Sequence, residues 1–139
     1  MAARLHIVLV LALVALFGAP RLSLAQHATQ LQAKWHRVKV ARVAPAAEEL
    51  VRLTIDLAGT ELAESYETPG QYIQIRTSAT EKAGFFAIAS APGETRWELL
   101  IKTGTRHGGD TPLPGLSDQL AAMAAGAEVE VTPAQGSGF

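Results

Sequence analysis

At 139 residues and 48% hydrophobic, the chain has room for one domain, and part of its apolar content lies in a greasy N-terminus and abundant alanine. A formal charge of −1 offers no basic field to hold nucleic acid. With no cysteine in the sequence, a disulfide framework and a thiolate metal site are both excluded.

The first stretch has three parts: Arg4 as a positive start, an apolar run from Leu5 to Phe17, and a small-x-small end at Ser23-Leu24-Ala25. This is the layout of a secretory signal peptide over residues 1–25, with cleavage after Ala25. The run falls short of the roughly 20 residues that spanning a bilayer takes, and a signal anchor is the alternative. Cleavage leaves ten basic against thirteen acidic residues, a charge of −3. The expected destination is the secretory route; in an alga with complex plastids the same layout also serves as a plastid address. Membrane contact is expected only through this segment. Residues 26–34 read as a polar lead-in.

Trp35 to Val43 begins as a strand, with Val38 and Val40 on one face and Arg37 and Lys39 on the other. The phase slips at Ala41, where a bulge fits. Pro45-Ala46-Ala47-Glu48 reads as a turn into the cleanest alternation of the chain, Val51, Leu53, Ile55 and Leu57 against Arg52, Thr54 and Asp56. Gly59 to Thr68 is polar and reads as a loop. After Pro69-Gly70, Ile73 and Ile75 share one strand face with Gln71.

Thr77 to Ala83 is a polar connection to the apolar run Gly84-Phe85-Phe86-Ala87-Ile88-Ala89-Ser90-Ala91-Pro92. Short and bounded by Gly and Pro, this run reads as a strand. Its small residues after Phe86 admit two readings: crowded barrel positions, or backbone left open beside an aromatic for a planar ligand. Trp97, Leu99 and Ile101 alternate in a fifth strand, and Thr103 to Pro114 is a long Gly/Pro-rich loop. Ser117 reads as the N-cap of a short helix ending at Gly126, followed by a last strand over Glu128 to Thr132. The predicted fold is all-β: a six-stranded antiparallel Greek-key barrel with one short capping helix before the last strand.

Ordinary catalytic groups are poorly placed. His6, His27, His36 and His107 show no metal spacing and read as surface histidines, and Glu48, Glu49 and Asp110 as solvated turn charges. No serine has a nucleophile-elbow setting, so no catalytic acid, base, nucleophile or metal ligand is assigned. The start of the helix, Gly115-Leu116-Ser117-Asp118, reads either as an anion-binding turn, opposed by Asp118, or as a simple cap.

Taken together, Pro69-Gly70-Gln71-Tyr72-Ile73, Phe86-Ala87-Ile88-Ala89-Ser90-Ala91-Pro92, the strand Trp97 to Lys102, Gly115-Leu116-Ser117 with Leu120, Gly126 to Val131, and Pro133 to Phe139 resemble the FAD-binding, FR-type barrel of the ferredoxin–NADP reductase superfamily. The resemblance covers residues 35–139 and is nearest to the plant and algal oxidoreductase-like branch. It implies FAD as cofactor, electron transfer as activity, and NAD(P)H only through a separate nicotinamide-binding domain or redox partner, whose G-x-G-x-x-G unit this sequence does not contain. It also implies flavin contacts from Phe86, Ala87, Ile88, Ile101, Lys102, Gly115, Leu116 and Ser117. Phe86 would be the stacking partner, Gly115, Leu116 and Ser117 the phosphate cradle, and Lys102 a supporting cation.

The family's Arg-x-Tyr-Ser motif is altered here: Gly84 stands for the arginine, Phe86 for the tyrosine and Ala87 for the serine. The ring needed for stacking is kept. Loss of a charged hydrogen bond to phosphate costs roughly 1.5–3 kcal/mol, one to two powers of ten in affinity. Besides a flavin-dependent oxidoreductase, two readings stay open: a non-catalytic barrel that has lost flavin and partner domain, and a truncated reductase.

Overall fold

The structure, a computed structural model, describes residues 34–104 and 114–139. The expected signal peptide, residues 26–33 of the lead-in, and the loop carrying His107 and Asp110 lie outside the described residues. Six strands and two short helices follow in order: β1 (His36–Ala47), β2 (Leu50–Asp56), α1 (Leu62–Ser65), β3 (Tyr72–Arg76), β4 (Gly84–Ala87), β5 (Arg96–Lys102), α2 (Leu116–Ala121) and β6 (Glu128–Val131). They form one sheet in the order β4-β3-β6-β1-β2-β5, each neighbouring pair antiparallel.

Period-two patterning explains the core. Leu53 and Ile55 of β2, Ile73 and Ile75 of β3, and Trp97, Leu99 and Ile101 of β5 are all fully buried, while their alternating neighbours face outward. The bulge expected at Ala41 is present as a register shift between Val40 and Arg42. Opposite it, the Val40 N–H donates to Ala127 O at 2.8 Å and the Gly126 N–H to Val40 O at 2.7 Å.

Three local expectations change. β1 runs through Pro45 to Ala47, and the turn falls on Glu48 and Glu49, with Glu49 at φ 56. Proline is tolerated there because β6 pairs with β1 only from His36 to Lys39, so that edge of β1 has no partner strand at Pro45. Within the expected loop Gly59 to Thr68, the turn α1 forms because Leu62 and Tyr66, four residues apart, both reach the core. The Tyr66 ring meets Trp97 edge-on at 6.1 Å, and its hydroxyl donates to Ser90 O at 2.8 Å. Finally, α2 begins at Leu116 with Gly115 as N-cap and no side-chain cap, so Ser117 lies inside the first turn. The helix stops at Ala121, and Gly126, at φ 92, belongs to the turn that follows.

The all-β class and the antiparallel pairing stand, but the sheet is not closed. β4 and β5 meet through one isolated bridge, Ile88 with Leu99, reinforced by the Ala89 N–H to Glu98 O at 2.8 Å and the Glu98 N–H to Ser90 Oγ at 3.1 Å. Beyond that bridge no ladder joins them among the described residues. The physical reason is α2, which packs on β2 and β5, buries Leu120 completely, and sets Leu116 against Gly84 of β4. A helix seated at the end of the seam keeps the two edge strands apart.

Candidate functional site

Strand β4 alternates at this seam: Gly84 and Phe86 are half-buried, while Phe85, at 66%, and Ala87 are exposed. Phe86 packs against the core cluster. Between this strand and the start of α2 runs an open groove of about 550 Å³, within the range of cofactor sites. Phe86, Phe85, Gly84, Thr77 and Lys82 form one wall, with Glu81 and Ala83, and Leu116, Ser117 and Gln119 form the other. Its lining therefore joins aromatic rings to a lip of hydroxyl, amide, ammonium and carboxylate groups.

Gly84 is closed off by its neighbour. A Cβ built there would lie 2.8 Å from Leu116 Cδ2 and 3.1 Å from the Phe86 ring. The absence of a side chain lets the helix come this near, so the glycine and the leucine fit as a pair.

Hydrogen-bond alternation identifies the polar edge of the seam. The Ile88 N–H donates to Gln71 O at 3.1 Å, on the β3 side, whereas the Ala89 N–H donates to β5. Residues 84 and 86 therefore direct their backbone groups to β3, and 85 and 87 direct theirs into the seam. On β5, Glu98 is the residue bonded across to Ala89 and Ser90, so Leu100 and Lys102 also point their N–H and C=O groups toward β4. The Ile88–Leu99 bridge engages these groups at Ala87 and Leu100, and beyond it Phe85 and Lys102 direct theirs toward the seam.

Of the expected site residues, the structure brings Phe86, Leu116 and Ser117 together in the groove. Gly115 lies next to it as helix cap, its carbonyl accepting the Gln119 N–H at 3.0 Å. Ala87 is exposed beside the groove at the seam. Ile88 and Ile101 are core side chains; Ile88 donates its N–H to Gln71, and Ile101 pairs with Val51 of β2. Lys102 is exposed at the end of β5, opposite Leu50, and its side chain is not part of the groove lining. Sequence reasoning missed Thr77, Lys82 and Gln119. The first two lie in a connection without period, where only the fold can say which residues face a ligand.

No protein-family profile matches the sequence. Among curated proteins, the fruit protein pKIWI502 of Actinidia deliciosa is 32% identical over 117 residues, covering 76% of this chain and 34% of that protein. The chain thus spans about a third of the curated relative that it matches. Among solved structures, the flavohem-like FAD/NAD-binding domain of nitric oxide dioxygenase from Vibrio cholerae O1 biovar El Tor is similar at a TM-score of 0.58 and 20% identity, over 76% of this chain and 45% of that one. A ferredoxin NADP+ reductase from Neisseria gonorrhoeae, with bound FAD and NADP, gives 0.56 and 20%, over 76% and 39%. The cytochrome b5 reductase domain of Ulva prolifera nitrate reductase gives 0.55 and 20%, over 74% and 40%. With its strand order, its half-open seam and these likenesses together, the chain has the fold of the FAD-binding barrel of the ferredoxin–NADP reductase superfamily.

Proposed function

We propose that this chain is the flavin-binding barrel of an electron-transfer oxidoreductase, with FAD or a related flavin lying in the β4–α2 groove. The single observation that carries the reading is the placement of Phe86: a half-buried ring lining a groove between β4 and the start of α2. A flavin supplies one- and two-electron redox chemistry when bound. The chain's own part is to hold and orient it.

The residues fit the ring end of such a group. Phe86 offers a stacking face, and Phe85 and Lys102 direct backbone donors and acceptors toward the seam beside it. Ser117 and Thr77 add hydroxyls at the groove. Phe86 and Leu116 exclude water from one side of a bound ring, which strengthens the hydrogen bonds made there. Transfer from NAD(P)H is assigned to a separate domain or partner.

The test is direct. Purified protein should show a flavin absorbance spectrum, either as isolated or after incubation with FAD, and Phe86→Ala combined with Ser117→Ala should release the flavin. Unchanged flavin occupancy in the double variant would refute the site. One observation favours a second reading, a barrel that has lost its cofactor: Leu116 fills the space above Gly84 where the family's arginine would stand. A colourless protein that takes up no added flavin supports that alternative.

A further inference from the structure

We propose that Lys82, on the β3–β4 connection, is the phosphate-pairing cation of the groove, replacing from the loop the charge that β4 does not supply. This rests on the flavin reading above and names the residue that would hold the charged end of the ligand. Three observations converge. Leu116 Cδ2 stands 2.8 Å from where a Gly84 side chain would begin, so a cation cannot enter from that position unless the Leu116 side chain moves. Lys102, the basic residue nearest in the resemblance, does not line the groove, whereas Lys82 does. Lys82 also takes part in none of the ion pairs among the described residues, which join Arg37, Arg52, Arg76 and Arg96 to carboxylates.

The surroundings of Lys82 suit a phosphate. Thr77 and Ser117 place hydroxyl donors in the same groove, and an ammonium on a flexible stem binds phosphate as a point charge without the fixed fork of arginine. Glu81 lines the groove too and opposes an anion, so the lip carries one charge of each sign. Removing the Glu81 charge should therefore tighten binding, and removing the Lys82 charge should loosen it.

The experiment titrates the full chain with riboflavin, FMN and FAD, followed by flavin fluorescence, for the parent protein and for Lys82→Ala, Lys82→Arg and Glu81→Gln. The ammonium–phosphate contact predicts that Lys82→Ala weakens FMN and FAD about tenfold and leaves riboflavin unchanged. Lys82→Arg should keep most of the affinity, and Glu81→Gln should raise it for the phosphorylated flavins alone. Added salt should erase the preference for FMN over riboflavin, as expected for an exposed pair. Equal losses for FMN and FAD place Lys82 on the phosphate next to the ribityl chain, and a loss confined to FAD places it on the adenylate side. If Lys82→Ala weakens all three flavins alike, or weakens none, the assignment of Lys82 is overturned while the flavin groove stands. If the parent protein binds no flavin at all, the proposed function falls and this inference with it.

Discussion

Strand β5 has two edges, and they are treated differently. Toward β2 it is paired without interruption over seven residue pairs, from Leu50 with Lys102 to Asp56 with Arg96. Toward β4 it is held by the single bridge at Leu99. The same strand thus contributes a saturated seam that builds the core and, among the described residues, a sparsely bridged one beside β4. Buried backbone groups without partners are unfavourable, so an open seam persists only where water or a ligand reaches it. The first edge builds the core, and the second is where the proposed flavin would be recognised.

Substitutions on the two sides should separate these roles. Leu53→Ala, on the saturated side at 0% exposure, should destabilise the fold by about 2–5 kcal/mol, read by urea or thermal unfolding. Its flavin affinity, measured where the variant is folded, should match the parent. Phe86→Ala reverses the pattern: flavin affinity should fall by about 1–3 kcal/mol, as for loss of a stacked ring, while unfolding shifts by less than in Leu53→Ala. Equal stability losses in the two variants would erase the contrast between the edges.

A smaller effect probes the contact that holds the seam apart. Gly84→Arg places a Cβ against Leu116 and should lower stability by about 1 kcal/mol. Adding Leu116→Ala should relieve the clash, making the double variant more stable than Leu116→Ala and Gly84→Arg taken additively; strict additivity in that thermodynamic cycle would show that the two positions do not touch. The smallest effect concerns backbone strain. Glu49 sits at φ 56 in the β1–β2 turn, and Glu49→Gly should raise stability by up to about 1 kcal/mol without altering flavin binding.

Much of the saturated edge was legible in the amino-acid order, because Leu53, Ile55, Trp97, Leu99 and Ile101 obey a strict alternation that a half-buried strand imposes. Even the bulge at Ala41 showed as a slip of phase. The turn α1 did not show, since Leu62 and Tyr66 make only one helical repeat. Phe86 stood out through its place in an apolar run with small neighbours. Lys82 did not, because loop residues carry no period, and neither did the Leu116–Gly84 contact, which depends on how a helix settles between distant strands. Side-chain type identifies what a residue offers, whereas the meeting of separate elements decides what it faces.

The lone β4–β5 bridge has one more consequence. A flat guest lodged below Leu99 would act as the missing rungs of the sheet, joining its two margins through the amides of Phe85 and Lys102. Those amides, quick to exchange with deuterium in the empty protein, should then become slow, and heat resistance should climb with guest concentration.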